Sequence, residues 1–144
     1  MSSSLAMAVR QAGNEITESI KRQMQSRAVR VANEMRNAEL EVIRGQGSGR
    51  RYRVPGTGRT YTASAPGEVP AVRTGAFRLS WQPNSYMTGD VAVSQLETQL
   101  TVNGYNLGEL LEDGTSKMAP RPHQEKILKK AEPKAIAIYE EPYM

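Results

Sequence analysis

An apolar stripe through the first third of the chain constrains its fold more than any other feature. From Leu5 to Val42 an apolar residue recurs every three or four positions and no proline interrupts the run. The stripe comprises Leu5, Val9, Ala12, Ile16, Ile20, Met24, Ala28, Val31, Met35, Ala38 and Val42. This spacing predicts an amphipathic helix over about residues 4–44.

The length of this helix is a problem for a small protein. A continuous helix would be about 60 Å long at about 1.5 Å per residue. A domain of this size has a radius of gyration of only about 15 Å. The helix must therefore either kink and stay within the core or project onto neighbouring subunits. Ala, Val and Met dominate the stripe, and these side chains allow another helix to approach closely.

Composition favours one domain, residues 1–144, that associates with other subunits. The 144 residues suit a single core, yet 38% are apolar and the chain has one Trp and one Phe. Cysteine is absent, so packing or association must supply the stability that disulfides would give. We find no secretion signal and no apolar run of about 20 residues, and so expect a soluble protein made in a cytoplasm, with no membrane partner.

Residues 45–72 form a predicted loop or arm that is rich in Gly, Ser, Thr and Pro. Such long loops usually bind something or stay disordered until they do. The region is basic: Arg44, Arg50, Arg51, Arg53 and Arg59 precede the first acid, Glu68. Tyr52 and Tyr61 are interleaved with these arginines and suit stacking as well as charge pairing. We expect the glycine-rich stretch from Gly45 to Gly49 to be flexible.

The second half of the chain predicts strands followed by a helix. Residues 77–104 alternate apolar and polar side chains, with turn signals at Gly89-Asp90 and Asn103-Gly104, which predicts a small antiparallel meander with the long helix packed on it. A short helical turn should follow before Asp113-Gly114. A C-terminal helix is predicted over about residues 122–140, with Pro133 breaking or restarting it and residues 135–139 forming a last helical turn or an edge strand. The fold class is α+β.

Groups typical of enzyme sites are sparse, and we expect no catalysis, no cofactor and no metal site. His123 is the sole histidine, and with no cysteine a metal site would need mostly carboxylates. We expect His123 at the surface or an interface. The stretch from Gly45 to Gly49 lacks the Gly-Lys-Ser/Thr sequence of a phosphate-binding loop.

Two segments carry a more specific signal. The first, SAPGEVPAVRTGAFRLSW, runs from Ser64 to Trp81, and the second, LLEDGTSKMAPRPHQEKIL, from Leu110 to Leu128. In this order they resemble the small tail-completion or head-to-tail joining proteins of lambda-like long-tailed bacteriophages. The matching positions are Ser64 to Glu68, Pro70, Thr74, Gly75, Arg78 and Ser80 in the first segment and Glu112, Gly114 to Ser116, Met118, Arg121 and Pro122 in the second. The chain departs at Phe77 and Leu79, which shift the aliphatic position, and at His123, where the family usually has Phe.

The resemblance implies a structural virion protein of the phage neck. It would repeat around a ring of six copies that joins the head connector to the tail, contact other neck proteins such as the stopper, terminator or tail tube, and leave a channel through which genomic DNA passes. Two alternatives remain within the neck, the tail terminator and the head-closing stopper. A third, from another class, is a basic nucleic-acid-binding module.

Candidate interface residues follow from the resemblance and from the residues that shape the backbone. They are Pro66, Gly67, Glu68, Pro70, Thr74, Gly75, Phe77 and Arg78 in the first segment and Gly114, Thr115, Ser116, Met118, Arg121 and Pro122 in the second. We also predict a positive φ at Gly114. Arg50, Arg51, Arg53 and Arg59 are candidates to face either the DNA channel or a neighbouring protein.

Overall fold

A computed structural model of the chain describes residues 2–143, with side chains from residue 5 onward. The fold is α+β, as predicted. Its elements in chain order are α1 (Ser2–Val42), β1 (Arg51–Arg53), β2 (Thr60–Thr62), α2 (Ala76–Leu79), β3 (Trp81–Thr88), β4 (Val91–Thr98), β5 (Thr101–Val102), β6 (Tyr105–Asn106), α3 (Leu107–Asp113) and α4 (Gln124–Tyr139).

Helix α1 is continuous, and its two halves have different surroundings. The C-terminal half packs against α4, β3 and β4 and buries Ala28, Val31 and Ala32. Residues 5–18 are all exposed, including Leu5 at 69% and Ile16 at 62% of their maximal area. The helix therefore projects from the domain and does not kink to stay inside it. We call the projecting part, residues 5–20, the shaft.

Within residues 2–143 the strands pair as three separate two-stranded antiparallel sheets, so the predicted meander is wrong. β3 and β4 form the long hairpin, in register from Trp81↔Thr98 to Thr88↔Val91, and turn at Gly89-Asp90 as predicted. β5 and β6 turn at Asn103-Gly104, also as predicted, but do not pair with β4. The side-chain amide of Asn106 donates a hydrogen bond to the carbonyl of Thr98, the last residue of β4. A meander would instead require backbone hydrogen bonds between β4 and the next strand.

Part of the predicted strand region is helical. Phe77 and Leu79 lie in α2, a single turn that Gly75 begins with a φ of 87°. The Leu79 amide donates to the Gly75 carbonyl, and the Ala76 amide donates to the Thr74 hydroxyl. The left-handed glycine turns the chain before β3, and this overrides the alternation of apolar residues.

The core lies between the C-terminal half of α1, the β3–β4 hairpin and α4. Its buried members are Ala38, Ile43, Trp81, Ile127 and Ala131, with Met35, Val42, Phe77 and Leu96 packed around them. His123 is fully buried, so its expected place at the surface or an interface is wrong. Its ring meets the rings of Phe77 and Trp81 edge-on, each at 5.7 Å between centroids, and fills an aromatic position in the core.

Helix α4 runs unbroken through Pro133, contrary to prediction, and includes residues 135–139. Ile127 and Ala131, on the inner face of α4, are buried against α1, whereas Pro133 is exposed to solvent. This packing offsets the hydrogen bond that proline removes. Ion pairs Lys130–Glu41 (3.0 Å) and Lys134–Glu34 (3.4 Å) also join the two helices.

Candidate functional site

The two segments that resemble the phage joining proteins meet in space. The guanidinium of Arg121 donates through Nε to the carbonyl oxygen of Ser64 at 3.2 Å and to its hydroxyl at 2.8 Å. The Gly67 amide donates to the Pro120 carbonyl at 3.1 Å. Residues 57 positions apart in the sequence therefore bring the two segments into direct contact.

Glu68 organises the first segment. Its carboxylate accepts hydrogen bonds from the Ala65 amide at 2.6 Å, from the Ser48 amide at 3.0 Å and from the Ser48 hydroxyl at 2.9 Å. The Ala65 amide, followed by the Ser48 groups, lowers the pKa of Glu68. This residue therefore shapes the turn and ties it to the base of the arm.

Two of the predicted interface residues have roles inside the subunit. Arg78 donates from Nε and Nη2 to the Leu40 carbonyl, at 3.2 and 2.7 Å, which satisfies a carbonyl in the last turn of α1. Phe77 packs edge-on against Trp81 in the core. The family-like Thr74–Arg78 turn thus couples the end of the long helix to the core.

The second segment is shaped by Gly114. Its φ is 78°, as predicted, and its amide donates to the Leu110 carbonyl at the end of α3. A Cβ here would lie 2.8 Å from both the Met118 carbonyl oxygen and the Pro120 nitrogen, so no larger residue fits without movement. Thr115 and Met118 exchange backbone hydrogen bonds, which leaves Thr115 and Ser116 exposed at the tip.

Glu112 joins this segment to the last helix. Its Oε2 accepts hydrogen bonds from the amides of His123 (2.8 Å) and Gln124 (3.2 Å) at the start of α4, where helix amides lack partners. The same oxygen lies 3.1 Å from His123 Nδ1. That nitrogen also donates to the Arg121 carbonyl at 2.9 Å.

A cleft of about 790 Å³ opens between the two segments. Its apolar lining includes Ile43, Phe77, Leu100, Leu107, Leu111 and Met118. Of the described residues that line it, the charged ones are all basic: Arg73, Arg78, Lys117 and Arg121. Pro66, Pro70, Thr74 and Gly75 also line the cleft, whereas Gly114, Thr115, Ser116 and Pro122 lie outside its wall.

The arm forms a β-hairpin where the sequence predicts a loop without secondary structure. β1 and β2 pair Arg51↔Thr62, Tyr52↔Tyr61 and Arg53↔Thr60. Gly47 and Gly49 donate amide hydrogen bonds to the Thr62 and Ala63 carbonyls, and any side chain on either glycine would collide with the opposite backbone. The alternation Arg-Tyr-Arg and Thr-Tyr-Thr around a Pro-Gly turn was the signal that could have revealed it.

The shaft exposes one apolar face. Leu5, Val9, Ala12, Ile16 and Ile20 lie together at helical spacing, and all five are exposed. At about 100° per residue the charged residues fall on the other side of the helix. They are Arg10, Glu15 and Glu18, followed by Lys21 and Arg22 just beyond the shaft.

Glu39 is a buried acid that the sequence pattern did not single out. It is fully buried beside Met35 and Ile43 on the face of α1 that enters the core, and neither carboxylate oxygen has a hydrogen-bond partner in the described part of the chain. Burial raises the pKa of Glu39 to about 7, against the opposing pull of Arg78 and Arg36. Met35 and Ile43 lie four residues before and after Glu39 in the sequence, and this spacing could have indicated that Glu39 is buried.

Protein-family models, curated proteins and solved structures give no counterpart to this chain. The likeness of the two segments to phage joining proteins therefore stays a prediction. Among residues 2–143 no helix is long and apolar enough to cross a membrane, and no three His, Asp or Glu side chains of that range are placed to hold a metal ion.

Proposed function

We propose that this chain is a structural protein of a bacteriophage neck. Copies of it form a ring, six by the family resemblance, that joins the head connector to the tail and completes the tail. The work is mechanical and uses no catalytic group or cofactor. The same resemblance leaves the tail terminator and the head-closing stopper as alternative layers of that neck.

The apolar face of the shaft is the observation that carries this proposal. From Leu5 to Ile20 it extends about 24 Å at about 1.5 Å per residue. The residues of this part of α1, from 5 to 18, are all exposed. A patch of this size lies within the range that monomers expose. Its continuity along an uncovered helix, where Leu5 is 69% and Ile16 62% exposed, favours a covering partner.

A second copy of the same face is the occupant that the charge pattern favours. The face carries no charged residue, and the shaft's charged residues point away from it. The basic cleft of a neighbouring copy suits it less, because covering Arg73 and Lys117 with an uncharged face would desolvate both cations without compensation. Matching uncharged faces avoid that penalty. A contact between like faces joins two copies, so a ring of six would contain three such pairs.

The size of the contact suits ordered assembly. A helix face about 24 Å long and about 10 Å wide covers roughly 240 Å², well below the roughly 800 Å² per partner of a stable pair. Free subunits should therefore associate weakly, and rings should form when a connector or tail end brings several copies together. Rings that formed before a connector or tail end was present would compete with assembly on that template.

The joined family-like segments support the assignment. The bonds from Arg121 to Ser64 and from Gly67 to Pro120 bring together residues that the resemblance treats as two motifs. They form one surface without an evident reactive constellation. A basic nucleic-acid-binding module, the alternative from another class, rests on the arginines of the arm alone.

Deletion of the coding sequence from the phage that carries it provides the test. We expect filled heads and finished tails to accumulate separately, as counted by negative-stain electron microscopy, and purified chain to restore joining. The double variant Val9→Asp/Ile16→Asp should fail to restore it, because charge is placed on the apolar face. Glu18→Lys, on the opposite face, is the matched control and should join normally. Joined particles without the protein would refute the proposal.

A further inference from the structure

We propose that the outer face of the β1–β2 hairpin binds the phosphodiester backbone of duplex DNA without reading its bases. The hairpin presents arginines as phosphate donors on one side and keeps its tyrosines on the other. Four observations support this assignment: unbalanced charge, the division of the hairpin into two faces, the chemistry of the outer face and the fixed backbone.

The charge of the arm is not neutralised within the subunit. The chain carries no acid between Glu41 and Glu68. The side chains of Arg50, Arg51, Arg53 and Arg59 are exposed, and none forms an ion pair with any side chain from residue 5 to residue 143. Elsewhere on the surface the protein does pair its cations, as in Arg30–Glu141 at 2.6 Å. The arm is left free for an external anion.

Strand geometry separates arginines from tyrosines. Alternate residues of a strand point to opposite faces, so Arg51 and Arg53 share one face with Thr62 and Thr60, their cross-strand partners. Tyr52 and Tyr61 lie on the other face, stack at 5.8 Å between centroids and help to line the cleft. The two rings thus stack on each other on the face opposite the arginines, with Tyr52 still 44% exposed.

The chemistry of the outer face fits phosphate better than a protein surface. It offers two guanidinium groups and two hydroxyls, all hydrogen-bond donors, and no apolar side chain. Protein interfaces bury an apolar and aromatic centre, and the aromatic residues that could have supplied it face the cleft. Arginine matches the oxygens of phosphate with paired hydrogen bonds. Since no free aromatic ring or amide side chain accompanies the arginines, the bases go unread.

The hairpin is held ready for a ligand. Backbone bonds from Gly47 to Thr62, from Gly49 to Ala63 and from Ala63 to Arg50 fix its base, and Glu68 holds Ser48 beside them. Arg51 and Arg53 are therefore spaced about 7 Å apart along a defined strand. Binding then requires little ordering of the backbone, which lowers its entropic cost.

The identity of the DNA as the genome passing through the neck rests on the proposed function, whereas recognition of phosphate does not. A conduit must release its cargo, so each hairpin should contact few phosphates. The affinity of one subunit should accordingly be weak and steeply salt-dependent.

Fluorescence anisotropy with the full chain and duplexes of two unrelated sequences, each about 30 base pairs long, tests the site. We expect equal affinity for both duplexes and a linear fall of log K with log salt. Arg51→Ala/Arg53→Ala should reduce the slope by about 2, at about 0.9 for each phosphate that is no longer neutralised. Arg10→Ala/Arg22→Ala removes the same charge from α1 and should leave the slope unchanged.

Several results would overturn the assignment: no binding at low salt, an unchanged slope in the hairpin variant, an equal reduction in the control, or equally tight binding of polyglutamate. A hairpin variant that binds DNA normally but fails to join heads to tails would place a protein neighbour on this face. That outcome would reject the DNA site and leave the proposed function standing.

Discussion

Glu39 carries the largest electrostatic cost that we find at a single residue. Its carboxylate enters the core without a hydrogen-bond partner among the described residues, so the charged form loses its hydration and gains little in return. Arg78 and Arg36 offset part of this penalty, yet the pKa still rises from 4.5 to about 7. The acid therefore keeps its proton to a higher pH than an exposed glutamate does.

The stability of the fold should depend on pH through this residue. Because the folded-state pKa exceeds the unfolded value, Glu39 stabilises the fold most below about pH 4.5, and this advantage is lost as pH rises through about 7. Glu39→Gln removes the ionisation. In urea unfolding we expect this variant to match the wild type near pH 4.5 and to exceed it by about 3 kcal/mol at about pH 8.5, at about 1.36 kcal/mol per pKa unit.

Glu41→Gln is the control for that measurement. Glu41 lies on the same helix but is exposed, and its hydrogen bond with Lys130 lowers its pKa. Its removal should act in the opposite direction, with a slight loss of stability at neutral pH that fades in acid. If the two glutamine variants have the same pH profile, burial of Glu39 is not the cause.

The backbone conformation of Gly114 was predicted correctly, whereas the burial of His123 was not. The positive φ of Gly114 follows from the need for a sharp turn after α3, and a local turn can be deduced from local sequence. The burial of His123 could not, because it depends on Phe77 and Trp81 arriving from other elements. Glu39 was missed for the same reason.

At the scale of elements, the spacing of the apolar stripe explains why the shaft and the C-terminal half of α1 present their apolar side chains in different directions. Leu5 and Val42 are separated by 37 residues and ten steps of the stripe, a mean of 3.7 residues per step. Since the helix has about 3.6 residues per turn, the stripe drifts by about a quarter turn over its length. The shaft's apolar face is therefore rotated by up to about a quarter turn from the face that packs into the domain. Spacing above about 3.6 also disfavours a left-handed coiled coil between shafts.

Cysteine substitution tests the homotypic contact of these faces, since the chain has no native cysteine. Val9→Cys or Ile16→Cys should give disulfide-linked dimers on mild oxidation, because like faces bring the two Cβ atoms within about 4.5 Å. Glu18→Cys, on the charged face, should remain monomeric on a non-reducing gel. Equal crosslinking at all three positions would indicate random collision. Its absence at Val9 and Ile16 in assembled particles would show that another protein covers the shaft.

The elements differ in how far local sequence determines them. Periodicity predicted α1 to within two residues at each end, and the two turn signals located the β3–β4 and β5–β6 turns. Local alternation failed at α2, where the backbone of Gly75 decides the structure. It also failed to show that β5 and β6 stay separate from β4. Pro133 stays helical because tertiary packing of Ile127 and Ala131 outweighs the one backbone bond that proline cannot make.

The whole molecule combines a small core with two features that reach outward, the shaft and the basic hairpin. The sequence predicted the extent of the long helix and of the arm. The strand pairing of the hairpin depends on backbone hydrogen bonds between residues that are distant in the sequence. The meeting of the two family-like segments depends on contacts across 57 residues, such as Arg121 to Ser64, which no local pattern encodes. The longest helix of the subunit leaves an apolar face uncovered, with Leu5, Val9 and Ile16 each more than 60% exposed.

Electron cryomicroscopy of the neck of intact virions tests this account most directly. We predict a ring of six copies between the head connector and the tail, with the shafts in contact two by two through Val9 and Ile16 and the β1–β2 hairpins lining the channel. Particles that contain the protein as a single isolated copy, or that lack it while heads and tails are joined, would contradict the account.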